Sequence, residues 1–169
     1  MSLVSSGDAG IYGMAGLALE LATREEGLVP IEIVAGITSA SAAAARLGAP
    51  LMLDFACISL SDLLVPWEII RMRLKAVAEA DLVTALYNPR SSRRTHQMEE
   101  AAAIFRKYRD AKTPVGIGTA VGAKQERILL TDLDHLLENE ITMSSIVIIG
   151  NRSSRVNHGW FITPRGYKL

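Results

Sequence analysis

The most informative stretch of the chain is SSGDAGIYG, residues 5–13. It places three glycines and the carboxylate of Asp8 between a short apolar run, Leu3-Val4, and residues 14–24, whose apolar spacing is typical of a helix. Glycine has no Cβ and tolerates positive φ, so such a turn lets the backbone approach a ligand closely. The helix that follows offers unpaired N–H groups at its start. The stretch therefore predicts a ligand-binding turn between a strand and a helix.

Composition is that of a soluble globular protein and excludes several other classes. The 169 residues are 49% hydrophobic and 21% charged, and the net charge of zero gives no electrostatic case for nucleic acid or a membrane surface. A single cysteine excludes an intrachain disulfide framework and a zinc site of several thiolates. No apolar run reaches the roughly eighteen residues of a membrane span, and no signal peptide is recognisable. A cytoplasmic location is expected.

Helix-like and strand-like patterns alternate along the chain, which predicts an α/β fold with helices packed on a mixed sheet. The predicted helices are residues 14–24, 40–47, 66–80, 95–108 and 132–138. Gly27 is expected to stop the first helix, and Thr38 or Ser39 to cap the second. The predicted strands are residues 31–34, 55–60, 82–87, 115–119, 127–131, 145–149 and an edge strand at 160–162. We expect a boundary after Pro50, which divides the chain into residues 1–50 and a complete α/β domain at 51–169.

Six segments, in chain order, resemble the tetrapyrrole methylases, two-domain enzymes that bind S-adenosylmethionine between their domains. Residues 6–13 resemble the family's GDPxxYG loop, and IEIVAGITSASAAAA (31–45) is similar to its second strand-turn-helix. The other four segments are FACISLSDLLVPW (55–67), ALYNPRSSRRT (85–95), IIGN (148–151) and ITPRGY (162–167). Together they resemble the precorrin-3B C17-methyltransferases within that family.

Two departures accompany the resemblance. Ala9 and Ala35 stand where the family usually has proline, so both turns lose a fixed φ. The family's opening GxGPGD strand-turn has no counterpart here. The resemblance therefore implies that residues 1–50 are the remnant of an N-terminal domain, followed by the C-terminal α/β domain.

The activity implied by the resemblance is S-adenosylmethionine-dependent C-methylation of a corrin precursor, coupled to ring contraction, in cobalamin biosynthesis. The substrate would be precorrin-3B or cobalt-precorrin-3, and the protein a homodimer. Methyl transfer from a sulfonium needs positioning more than a strong acid or base, so no catalytic residue is predicted. The alternatives are an inactive fragment that only binds or dimerises, and methylation of another ring position.

The cofactor-binding residues are also carried over from the resemblance. Those expected to contact S-adenosylmethionine are Ser6, Gly7, Asp8, Ile11, Thr38, Ser39, Tyr87, Asn88, Gly118 and Thr119. The alternative for Asp8 is a structural role as a helix cap or turn residue.

The polar loop at residues 88–94 is the candidate substrate site. Tetrapyrrole precursors carry many carboxylates, which guanidinium groups bind bidentately, so Arg90, Arg93 and Arg94 are predicted to hold substrate side chains. A solvated basic turn is the alternative. Asp62 is either a cleft residue or a local cap before the following helix.

The remaining reactive side chains give no further site. Cys57 lies in an apolar strand and is expected to be a core thiol. The three histidines, His96, His135 and His158, lack ligand spacing, so no metal site is predicted. A sheet that lacks neighbouring strands exposes an edge and apolar faces, so we expect the chain to dimerise or to exchange its leading segment.

Overall fold

A computed structural model describes residues 2–24, 30–91 and 94–168. The helices are α1 (Ala15–Ala22), α2 (Ser39–Leu47), α3 (Trp67–Glu79) and α4 (His96–Phe105), with a 3₁₀ turn at Leu136–Glu138. The strands are β1 (Gly48–Ala49), β2 (Phe55–Ser59), β3 (Val83–Tyr87), β4 (Pro114–Thr119), β5 (Arg127–Asp132), β6 (Ser145–Ile149), β7 (Arg155–Asn157) and β8 (Trp160–Ile162). None of the helices in these described ranges has the length and apolar character needed to cross a membrane.

A five-stranded mixed sheet forms the centre of the molecule, in the order β2-β3-β6-β4-β5. Strands β2 and β3 are parallel, and β6 is antiparallel to both β3 and β4. The carboxyl ends of β2, β3 and β4 therefore lie at the same side of the sheet as the start of β6. The register pairs Ser59 with Tyr87 and Thr119 with Ser145 at this side. In open α/β sheets, ligands bind outside the carboxyl ends of the strands.

The two faces of the sheet are covered differently. Helices α3 and α4 pack on one face, where residues such as Leu74 and Phe105 are fully buried. Helix α2 packs on the other face through Ala43 and Leu47. It lies so close to β4 that a Cβ on Gly116 would collide with the side chain of Leu47. Alanines on the helix and glycine on the strand thus allow this close approach.

A second, small sheet has the order β1-β8-β7. Strand β8 was predicted as an edge strand, and this prediction is wrong, because β8 pairs with β1 on one side and β7 on the other. The turn between β7 and β8 consists of His158 and Gly159, both at positive φ, as a two-residue hairpin turn of type I′ requires. Strands of two or three residues are too short to show an alternating pattern in the sequence.

Most of the other predicted elements are confirmed, but two are wrong. The helix predicted at residues 132–138 is only the 3₁₀ turn at Leu136–Glu138, because Asp132 still belongs to β5. The strand predicted at residues 31–34 does not form. This segment has no regular secondary structure, and within the described residues no strand pairs with it. Its apolar side chains are largely exposed, with Val34 at 74% of its full exposure. A strand is stable only when neighbouring strands satisfy its backbone N–H and C=O groups, so an apolar pattern alone does not make this segment a strand. The predicted helix stop at Gly27 lies outside the described residues.

The two segments on either side of residue 50 are packed unequally. Before α2, the chain is loosely packed: in α1 only Ala15 is buried, while Leu17 and Leu21 are exposed. Helix α2, although it precedes residue 50, contributes to the core against Ile148 and Phe161. The division at residue 50 stays a prediction.

Candidate functional site

A cleft of about 450 Å³ lies where β3 ends and β6 begins. Five parts of the chain form its walls: the glycine-rich turn, the turn that leads into α2, the end of β3, the loop that follows β4, and the start of β6 with the residues just before it. The lining residues are Ser6, Gly7, Asp8, Ile11, Tyr12, Ile37, Thr38, Ser39, Ala42, Tyr87, Asn88, Ala120, Val121, Met143, Ser144, Ser145 and Ile146. The site is thus built from segments far apart in the sequence.

Asp8 joins the two turns. Its Oδ1 accepts a hydrogen bond from the Gly10 N–H at 2.8 Å, and its Oδ2 accepts one from the Gly36 N–H at 2.9 Å. These bonds from Gly36 and Gly10 hold the pKa of Asp8 below its ordinary value. The carboxylate is therefore ionised at neutral pH, and it fixes the glycine-rich turn against the turn before α2.

The two turns also touch through their backbones. A Cβ on Gly36 would collide with the carbonyl oxygen of Gly7. Gly7 itself has a φ of 75°, which glycine adopts without strain. Glycine is therefore required at both positions for this backbone contact.

Tyr87 connects the end of β3 to the start of α2. Its hydroxyl lies 2.6 Å from the Thr38 hydroxyl and accepts a hydrogen bond from the Ala40 N–H at 3.1 Å. Thr38 is the N-cap of α2, but its side chain makes no capping bond to the helix. The Tyr87 hydroxyl thus satisfies an N–H group of the first turn that a capping side chain ordinarily would.

Tyr12 packs on Tyr87, with the ring centroids 4.9 Å apart. The Tyr12 hydroxyl donates to the Cys57 carbonyl oxygen at 3.1 Å, which ties the glycine-rich turn to β2. Burial raises the pKa of both tyrosines, so both are protonated at neutral pH.

The wall of the cleft at the strand ends is held by short polar contacts. The Asn88 side chain donates from Nδ2 to the Ser59 hydroxyl at 2.9 Å, and its backbone has a φ of 50°. The hydroxyls of Thr119 and Ser145 lie 2.9 Å apart across β4 and β6. These bonds tie the ends of neighbouring strands together.

Arg94 and Asp62 lie behind this wall. Arg94 donates from Nη1 to the carbonyl oxygens of Leu60, at 3.1 Å, and of Asn88, at 3.2 Å. Asp62 lies 4.0 Å from Arg94 Nε and accepts a hydrogen bond from Gln97 Nε2 at 2.8 Å. Both side chains are therefore engaged within the protein.

Eight of the ten predicted cofactor residues line the cleft: Ser6, Gly7, Asp8, Ile11, Thr38, Ser39, Tyr87 and Asn88. Gly118 and Thr119 are not among the lining residues, since Gly118 lies under α2, where an added Cβ would come 3.0 Å from the Cβ of Ala43. Of the predicted substrate residues, Arg90 is half-buried on the same loop outside the cleft lining, and Arg93 lies outside the described residues. The binding roles of all these residues stay predictions.

Sequence reasoning missed several lining residues, notably Tyr12, Met143, Ser144 and Ser145. Tyr12 lies within the glycine-rich motif and was available as a signal. Ser144 precedes the apolar strand β6 and Ser145 begins it, but only the order of strands in the sheet brings them into the same cleft as Asn88.

The chemistry of the described lining is that of an orienting pocket. Asp8 is its one charged side chain, and most of its other polar groups are serine, threonine and tyrosine hydroxyls. In the described parts of the chain, no group of three or more His, Cys, Asp or Glu side chains is arranged to hold a metal ion.

The fold agrees with comparisons to known proteins. The chain belongs to the tetrapyrrole (corrin/porphyrin) methylases, whose family model matches residues 1–137. It is 47% identical over its whole length to a probable cobalt-factor III C(17)-methyltransferase of Salmonella typhimurium, of which it covers 70%. It is 43% identical to a precorrin-3B C(17)-methyltransferase of Sinorhizobium sp, over 91% of this chain and 62% of that protein.

A solved structure of the methyltransferase CobJ superimposes with a TM-score of 0.86 at 37% identity, over 94% of this chain and 67% of that one. The chain thus spans about two thirds of the length of these three relatives. The predicted family and the mixed α/β fold are confirmed.

Proposed function

We propose that this chain is the greater part of an S-adenosylmethionine-dependent methyltransferase that acts on C17 of a corrin precursor in cobalamin biosynthesis. One observation carries the proposal. The glycine-rich turn and the turn before α2 are tied together by Asp8 and line a single cleft with the end of β3. The names and the identity of the C17-methyltransferase relatives support the choice of reaction.

The residues of the cleft fit S-adenosylmethionine. The volume of about 450 Å³ lies within the range of roughly 300–1,000 Å³ that small-molecule sites occupy. Gly7 lines the cleft, so a ligand can approach the backbone closely there. Apart from the Ala40 N–H that Tyr87 accepts, the start of α2 offers N–H groups suited to a carboxylate. When bound, the cofactor supplies an electrophilic methyl group on a sulfonium.

The chain's own residues contribute orientation. Polar side chains from several parts of the chain line the cleft: Ser6 from the glycine-rich turn, Thr38 and Ser39 from the start of α2, and Asn88 and Ser145 from the strand ends. A bound ligand is therefore oriented by more than one segment. Ile11 supplies apolar surface that excludes water. This arrangement suits a reaction whose rate depends on aligning two reactants rather than on proton transfer.

For the substrate, we propose that Arg90 and Arg93 on the 88–94 loop hold carboxylates of the tetrapyrrole. Support comes from the position of this loop, which follows β3 at the same side of the sheet as the cleft. Precorrin-3B and its cobalt-containing counterpart are the proposed substrates, with ring contraction coupled to methylation. A cytoplasmic homodimer is part of the same proposal.

The alternative from a non-enzymatic class is an inactive fragment that only binds or dimerises. The exposed apolar side chains of α1 favour it, because they leave the first segment with few packing contacts.

Calorimetric titration of this chain with S-adenosylhomocysteine tests the proposal. Micromolar binding supports a competent cleft. Absence of binding by a chain that still melts cooperatively supports the inactive fragment. Gly16→Ala is a suitable control variant, because nothing lies within 4 Å of the added Cβ and the cleft is left intact.

Methyl transfer to a precorrin is the second test, made on a protein of the relatives' full length. Methylation at C17 supports the proposal, whereas methylation at another carbon supports a different ring position.

A further inference from the structure

Arg94 lies behind the cleft, where three segments of the chain meet. Its Nη1 donates to the carbonyl oxygens of Leu60, just after β2, and of Asn88, just after β3. Its Nη2 lies 3.8 Å from the sulfur of Met143, in the loop before β6. One guanidinium therefore contacts the ends of three neighbouring strands.

The surroundings of Arg94 leave little of it for a ligand. Its side chain is 13% exposed, and its Nε faces Asp62 at 4.0 Å. Asp62 is in turn held by Gln97, which is 1% exposed. A guanidinium binds a carboxylate through a pair of parallel N–H groups, and here the Nε and Nη groups already face partners in the protein.

Two of the residues that Arg94 contacts are walls of the cleft. Asn88 and Met143 both line it, whereas Arg94 does not. Asn88 is at positive φ, a conformation that costs free energy unless neighbouring contacts hold it. The bond from Arg94 to the Asn88 carbonyl is such a contact.

We infer that Arg94 is a positioning residue that sets the Asn88–Met143 wall of the cleft, rather than a ligand for substrate carboxylates. The inference rests on the proposed function, since the cleft it shapes is the proposed cofactor site. Lysine cannot replace arginine in this role, because a single ammonium lacks the planar fork that reaches two carbonyls and the Met143 sulfur together.

The test compares Arg94→Lys with Arg106→Lys. Arg106 is a matched control, because it also donates to backbone carbonyls, those of Leu133 and Asp134, but it does not line the cleft. Each variant is titrated with S-adenosylhomocysteine and unfolded in urea. We expect Arg94→Lys to weaken binding by about tenfold, the effect of losing one or two charge-assisted hydrogen bonds, while Arg106→Lys binds like the wild type.

A double-mutant cycle with Met143→Leu separates positioning from general destabilisation. If Arg94 acts through Met143, the combined loss of affinity is smaller than the product of the two single losses. The inference would be overturned if the loss of affinity in the double mutant equals the product of the two single losses. It would also be overturned if Arg94→Lys and the Arg106→Lys control bind S-adenosylhomocysteine equally well. An Arg94→Lys protein that loses only tetrapyrrole binding would overturn it too.

Amide hydrogen exchange of the ligand-free protein gives an independent readout. Arg94→Lys should accelerate exchange at residues 143–145 and around Leu60, and the control should not. If the wild type binds no S-adenosylhomocysteine, the proposed function fails for this chain, but the exchange pattern still decides whether Arg94 positions the wall. Unchanged exchange would contradict it.

Discussion

At the scale of single residues, the cleft depends on a place where two backbones touch. We predict that Gly36→Ala abolishes or weakens S-adenosylhomocysteine binding at least several-fold, because the new Cβ would collide with the Gly7 carbonyl and push the turns apart. The same displacement would move the N–H of residue 36 away from Asp8, so the hydrogen bond that Asp8 Oδ2 accepts from it is lost as well. Calorimetric titration measures the effect.

Gly16→Ala is the control for the Gly36 variant. It adds the same methyl group within α1, where there is open space, and should leave binding unchanged while raising helix stability by about 0.5–1 kcal/mol. Wild-type affinity in Gly36→Ala would show that the contact between the two turns is not needed for the cleft.

Asp8 shows how far a residue's role was predictable. The sequence indicated an important carboxylate in a ligand turn and left open whether it binds a ligand or stabilises the turn. The structure shows that both oxygens accept backbone N–H groups, one of them 28 residues away in the sequence. Such a long-range bond has no local signal. The same reason explains why Ser145 was missed, since its place in the cleft depends on β6 lying between β3 and β4.

At the scale of elements, α2 begins with a tertiary cap. We predict that Tyr87→Phe lowers the free energy of unfolding by about 1 kcal/mol, the usual cost of removing a helix N-cap, because the Ala40 N–H loses its acceptor while the ring packing on Tyr12 is kept. Urea unfolding followed by circular dichroism measures the change.

Tyr167→Phe serves as the control for this cap, since Tyr167 is 70% exposed. If Tyr87→Phe and Tyr167→Phe are equally stable, the hydroxyl does not cap α2.

Helices and strands could be predicted from the sequence where the spacing of their apolar residues matches the side chains that the fold buries. Helix α3 follows its apolar spacing because Ile70, Leu74 and Ala78 face the sheet. Residues 31–34 have an equally apolar sequence, yet they form no strand among the described residues, since a strand also needs a neighbour. An apolar pattern in the sequence shows which side chains a segment would bury. It does not show whether another part of the chain lies close enough to cover them.

At the scale of the whole molecule, the exposed apolar surface of the first segment should drive self-association. Met14, Leu17 and Leu21 follow one another at helical spacing along one face, and each is 43–53% exposed. Contiguous apolar patches of this kind mark association surfaces. We predict that the chain associates with increasing concentration, as measured by light scattering.

Substitutions on α1 decide whether this surface is responsible. Leu17→Lys combined with Leu21→Lys removes the apolar face and should shift the chain towards the monomer. Thr23→Lys adds a charge at the end of the same helix without removing apolar area, and should associate like the wild type. A homodimer is also part of the proposed function, so the comparison of the variants decides which surface is responsible, and the mass of the wild type alone does not. A wild type that stays monomeric at high concentration would contradict the prediction. Association that survives the double substitution would assign it to another surface.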